Sequence, residues 1–170
     1  MLYIMRVKLL TNDDQFRQLE ETMRLFNEVC NFISIIAFKT KTTTNKINLQ
    51  KECYYEVREK YQIASQLVVR AISKVVQAYK KVNLHELTFP SDDVVIFDNK
   101  LLALKWGDRV SITTNCGRLE LPFMVREYRT EIYGNRVRKM ADLILEEDSF
   151  YLDITIDLPR DETHSIPINS

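Results

Sequence analysis

Glycine and proline are scarce: the 170 residues hold three of one and four of the other. So little turn and linker chemistry excludes a low-complexity or proline-rich spacer and favours long regular elements. No apolar run approaches the ~20 residues needed to span a bilayer. The start, Met1 to Lys8, is apolar, but charge interrupts it and it is too short for the core of a secretory signal. A cytoplasmic protein is expected. Cysteine is sparse too. Cys30, Cys53 and Cys116 are dispersed and odd in number, so no metal-spaced pair can be drawn. Buried free thiols are expected, with Cys30 and Cys53 on apolar helix faces. His85 and His164 have no partner at ligand spacing. No nucleophile sits beside a base, and no phosphate-cradling loop is present, so neither catalysis by this chain, a cofactor nor a metal is expected. Asp153 and Asp157, four apart on one strand, read as surface charge.

Net charge is also absent, with 24 cations against 24 anions. That argues mildly against a nucleic-acid partner, but the distribution matters more. Lys46 to Lys81 carries eight cations and three anions, Arg126 to Lys139 five and two, and Asp142 to Ser170 eight acids and one arginine. The chain is electrically segmented, with a basic middle and an acidic end.

What is present is amphipathic periodicity. Ala64, Leu67, Val68, Ala71, Ile72, Val75, Ala78, Tyr79 and Val82 recur at three- and four-residue steps, the spacing of one helix face. Opposite them run Gln66, Arg70, Lys74, Gln77 and Lys81, with no carboxylate from Gln62 to Val82. A solvated helix face usually mixes both signs, so a row of one sign points to an anionic partner, nucleic-acid backbone above all. Before this helix, a long one is expected from a cap at Thr11 to about Lys39. Its seam is Phe16, Leu19, Met23, Phe26, Cys30, Ile33 and Ala37, with Asn27, Asn31 and Ser34 on the polar side, solvated or touching a ligand. A shorter helix, capped by Asn48, is expected from Leu49 to about Lys60. It turns Leu49, Cys53, Val57 and Tyr61 inward and leaves Lys51, Arg58 and Tyr54 or Tyr55 at the surface.

After Leu84 the period changes to two. Strands are expected at Val94–Phe97, Leu101–Trp106, Arg109–Thr114, Arg118–Phe123, Asn135–Leu145 and Phe150–Leu158, with tight hairpins at Asp98-Asn99 and Asn115-Cys116-Gly117. Residues 2–9 read as one more strand and need this sheet to pair with. The expected class is therefore α+β: a small antiparallel, OB-like β-barrel (residues 1–10 and 87–158) with a three-helix bundle (11–86) inserted after its first strand. Residues 159–170 read as a linker or tail.

Several segments then carry a family pattern. They are Thr22 to Asn31, Tyr55 to Arg58, Ser65-Gln66-Leu67, Ala78-Tyr79-Lys80, Phe97 to Lys100, Val110 to Arg118 and Leu119 to Phe123. In order and spacing they resemble the N-terminal half of the TnpB/OrfB proteins of insertion sequences, relatives of the compact type V CRISPR effectors. The resemblance implies a wedge barrel interrupted by a helical recognition domain, gripping a guide RNA and reading a short motif in target-adjacent double-stranded DNA, while base pairing reads the target. In that family a RuvC-like nuclease follows the wedge. No segment of that kind appears after Pro159, so only binding carries over. The resemblance implies that Ser65, Gln66, Arg70 and Lys74 face the motif duplex, with Lys51, Tyr54 and Arg58 lining the same cleft and Lys81 continuing the row. Lys105, Arg118, Arg136, Arg138 and Lys139 would touch RNA backbone. A second reading is a non-catalytic interaction module that self-associates as a homodimer through its apolar helix faces.

Overall fold

The computed structural model describes residues 2–105, 108–125 and 137–157, the side chains of 137–139 and 157 excepted. The element order is β1 (Leu2–Leu9), α1 (Asp13–Thr40), α2 (Lys46–Tyr61), α3 (Ser65–Lys81), β2 (Val95–Asp98), β3 (Leu102–Lys105), β4 (Arg109–Thr114), β5 (Gly117–Val125), β6 (Val137–Glu146) and β7 (Ser149–Asp157). The seven strands form an antiparallel sheet in the order β2-β6-β7-β1-β5-β4-β3. Its two outermost strands, β2 and β3, are consecutive in the chain, and the barrel is nearly closed. Three helices follow the first strand, as the sequence pattern predicts. The chain divides into two compact units: Arg17–Ile96, and the described residues on either side of it.

In the barrel unit, β1 is central. It pairs with β7 from Leu2↔Asp157 to Lys8↔Tyr151, and with β5 from Val7↔Val125 to Leu9↔Phe123. Alternation decides which side chains reach the core. Leu152, Ile154 and Ile156 are buried while Tyr151, Asp153 and Thr155 between them are half-exposed. Val7, Leu9, Val110, Ile112, Leu121, Phe123 and Leu143 fill the same interior. Phe16, in the second turn of α1, stacks tilted on Phe150 at 4.9 Å. Two-residue loops join β4 to β5 and β6 to β7. At the first, Gly117 takes φ +99°, which a side chain would strain, and Thr114 Oγ1 donates to the Gly117 carbonyl at 2.7 Å. The turn expected at Asp98-Asn99 is an Asx turn, Asp98 Oδ1 accepting from the amides of Lys100 and Leu101. It is not a hairpin, because β2 lies beside β6 and β3 beside β4.

Two helix starts differ from expectation. Asn12, not Thr11, caps α1: its Oδ1 accepts from Gln15 N at 2.9 Å while Gln15 Oε1 accepts from Asn12 N, a reciprocal capping box. Asn45, not Asn48, caps α2, and its side chain accepts the Asn48 amide at 3.1 Å. The helix therefore begins a turn early and takes in Ile47. It ends where Gln62 enters the left-handed region at φ 52°.

In the helical unit the predicted stripes are buried: Leu19, Met23, Phe26, Cys30, Ile33 and Ala37 from α1, and Leu67, Val68, Ala71, Ile72, Val75 and Tyr79 from α3. Val76 joins them, whereas Ala64 before the helix and Val82 just past its end are exposed and Ala78 is half-buried. Asn27, Asn31 and Ser34 are neither solvated nor free for a ligand. They lie one turn apart and grip the backbone of residues 87–93. Asn27 Nδ2 donates to the carbonyl of Asp93 at 2.8 Å. Asn31 donates to the Phe89 carbonyl at 3.0 Å and accepts from its amide at 2.6 Å. Ser34 donates to the Leu87 carbonyl at 2.6 Å, and Tyr79 Oη accepts the Leu87 amide at 3.0 Å. An extended strap cannot satisfy its own amides and carbonyls, so side chains must. These bonds tie 87–93, expected from sequence to begin the barrel, to the helices. Cys30 and Cys53 are buried free thiols; Cys116, contrary to expectation, is exposed in its turn.

Candidate nucleic-acid interface

The predicted row on α3 splits. Lys74 turns inward: its side chain is 10% exposed and pairs with Asp93 at 3.0 Å. Its Nζ also donates to Asn27 Oδ1 at 2.8 Å and to the Val94 carbonyl at 2.6 Å, and it lies over the rings of Phe26 and Phe89. A cation this enclosed persists only when paired and hydrogen-bonded. Lys74 is thus a structural residue holding the strap, and it leaves the set of candidate phosphate contacts. Arg70 is half-buried. Lys46, at the start of α2, has its ammonium pKa pushed down by burial and then by the charge of Arg70, so two cations share one neighbourhood. Ser65 is exposed and Gln66 half-buried in the first turn of α3, which holds no acid and whose N-cap, Ala64, offers no side-chain acceptor. Lys81 is exposed at the other end.

On α2 the structure brings predicted residues together. Steps of three and four put Lys51, Tyr54 and Arg58 on one side. Lys51 and Arg58 are exposed and Tyr54 is half-buried; Arg58 Nη1 approaches the Tyr54 hydroxyl at 3.4 Å. Spacing alone offers Tyr55 as an alternative to Tyr54 and does not single out Ile47 or Gln50. These line a shallow depression of about 400 Å³ with Lys51 and Tyr54. Tyr55 is 82% and Ile47 70% exposed. The Tyr54 and Tyr55 rings meet edge to face at 5.3 Å and 88°. The glutamates of α2, Glu52, Glu56 and Glu59, are exposed and fall on the adjoining strip, away from Lys51 and Arg58. The signal was available: 47, 51, 54/55 and 58 are helical neighbours once the cap moves to Asn45.

The barrel cations are less concentrated. Lys105 is exposed at the end of β3. Arg118 is exposed, but one of its Nη atoms donates to the Leu101 carbonyl at 2.6 Å and approaches Thr113 Oγ1 at 3.3 Å. Arg136, and the side chains of Arg138 and Lys139, lie outside the described residues. Asp153 is not loose surface charge. Arg6 holds it in a two-pronged pair at 2.7 and 3.0 Å and reaches Glu146 at 3.0 Å, which keeps the guanidinium charged. Among the described residues, no three His, Cys, Asp or Glu side chains gather as a metal would need, and no helix is long and apolar enough to cross a membrane.

No protein-family model and no curated protein matches this chain. The site therefore stands on its geometry: a cationic and aromatic strip on α2, a carboxylate-free first turn on α3, and separate cations on the barrel.

Proposed function

We propose that the chain binds nucleic acid without cleaving it, as the N-terminal portion of a transposon-encoded RNA-guided DNA endonuclease of the TnpB/OrfB kind. It acts in the cytoplasm on a guide RNA and target-adjacent double-stranded DNA. The observation that carries this reading is the outer side of α2, where Lys51, Tyr54 and Arg58 gather with Tyr55 while the glutamates keep to another strip. Such a surface attracts phosphate through its cations and bases through its rings. The position of the helices after the first strand of a barrel agrees with the architecture that the resemblance implies. Ser65, Gln66, Arg70 and Lys81 extend the set along α3, and Lys105 and Arg118 supply cations on the barrel.

The test is binding of labelled RNA and duplex DNA across a salt series. Affinity that falls steeply with salt supports the reading. No affinity at low salt, or affinity indifferent to salt, overturns it.

A second reading, a self-associating module, loses the apolar helix faces expected to form it, because they are buried, and draws on other residues. Leu2, Ile4 and Met124 of β1 and β5 are more than half exposed. Light scattering over a hundredfold concentration range distinguishes the two: a mass that doubles, with no nucleic acid carried through purification, favours the dimer.

A further inference from the structure

Resting on the reading just given, we propose that the outer side of α2 takes unpaired RNA, in place of the motif duplex that the resemblance implied for Lys51, Tyr54 and Arg58, with Tyr55 as the platform on which a base stacks. The first argument is the ring itself. A tyrosine 82% exposed, with an isoleucine 70% exposed two turns before it on the rim of the same depression, is unusual apolar surface on a helix that already buries Leu49, Cys53 and Val57 on its other side. Tyr54 braces Tyr55 edge to face, so the aromatic surface is positioned before any ligand arrives. In a duplex the base faces are covered by their neighbours, and only an unpaired base has a free face to lay on such a ring.

The second argument is charge and width. Lys51 lies one turn before Tyr55 and Arg58 one turn after it, about 10 Å apart along the axis. Two cations therefore bracket the platform along the helix, as a strand running past it requires. The strip is narrow. Glu52, Glu56 and Glu59 occupy the neighbouring strip of the same helix and are exposed. Glu52 and Glu59, at i−3 and i+4, border Tyr55 on the side away from Lys51 and Arg58, so a single backbone keeps to the cationic side of the ring, whereas a duplex laid across α2 brings its second backbone against the carboxylates. The third argument selects RNA. Gln50 lines the depression with the tyrosines, and its amide both donates and accepts, which suits a ribose 2′-hydroxyl.

The experiment uses the full chain and three fluorescently labelled probes: an unstructured 12-nucleotide RNA, DNA of the same sequence, and an RNA hairpin of equal length closed by a non-nucleotide linker, so that it offers no unpaired base. The single-stranded RNA is expected to bind tightest. Tyr55→Ala should weaken it about fivefold or more, the lower end of a stacking contribution per base. It should leave the salt dependence and hairpin affinity unchanged, and Tyr55→Phe, which keeps the ring, should bind like the parent. Tighter hairpin binding, DNA binding as tight as RNA, or an unaltered affinity in Tyr55→Ala overturns the proposal while leaving nucleic-acid binding intact. Failure of all three probes to bind overturns both. Circular dichroism and the denaturation midpoint of each variant confirm that the exposed substitution leaves the fold unchanged.

Discussion

The two sides of the helical unit use the same residue types for opposite purposes. On the inner side, Lys74, Asn27, Asn31, Ser34 and Tyr79 converge on residues 87–94 and hydrogen-bond a passing strap. On the outer side of α2, Lys51, Gln50, Arg58, Tyr54 and Tyr55 face water. Each set has cations, amides and tyrosine at helical spacing. What separates them is whether another segment of the chain covers them. A covered polar group must be paired to survive the loss of water, whereas an uncovered one keeps its bonding capacity for a partner. Polar residues on a helix are therefore poor evidence of a site until their cover is known.

Lys74→Ala is the hardest blow to the inner side. It strands Asp93, Asn27 Oδ1 and the Val94 carbonyl. The expected loss is about 3 kcal/mol in urea denaturation, at the low end for a broken buried pair because Asp93 is itself partly exposed. A loss well under 1 kcal/mol would mean that Lys74 is no different from Lys51. Tyr79→Phe removes one hydroxyl from between Ser34 and Leu87. It should cost about 1–2 kcal/mol, and amide exchange at Leu87 should quicken.

A third effect is alkaline. Burial pushes the Cys30 thiol up to about 12, and burial with the charges of Glu56 and Glu52 does the same for Cys53. Because the folded value is raised, the stability tied to each neutral thiol is complete below the ordinary value of 9.0 and is lost as pH rises toward 12. The loss is roughly 1 kcal/mol per thiol by pH 10. Denaturation at pH 8 and pH 10 should show a smaller drop for Cys30→Ala than for the parent; equal drops would refute the burial argument.

The smallest stability effect belongs to the outer side. Lys51→Ala and Arg58→Ala should change stability by less than about 0.5 kcal/mol. If phosphate binds there, each should also lower the salt slope for a single strand by about 0.7. A large destabilisation with an unchanged slope would move these residues to the structural set.

Much of the fold was legible because burial leaves a periodic trace. The α3 stripe, the α1 seam and the strand Arg109–Thr114 follow directly from spacing. The caps were missed by one and three residues. At Thr11-Asn12 and Asn45…Asn48 two capping-competent side chains compete, and the reciprocal bond from Gln15 or the amide that each cap receives decides between them. Lys74 departs from its expected place for a deeper reason. Helical spacing gives its angle around the axis, but its cover comes from Asp93 and Val94, some 20 residues further on.

Local order, then, was written in the chain: three amphipathic helices, alternating strands, two free thiols on apolar faces, and a chain segmented by charge. Each follows from neighbours a few residues apart. Tertiary structure alone decided which cations stay in water and which are enclosed, which asparagines bind the strap, and that Arg6 on the first strand meets Asp153 on the last. Those outcomes depend on contacts between distant residues, and a polar side chain at a given spacing has the same local pattern whether water or a carboxylate lies opposite.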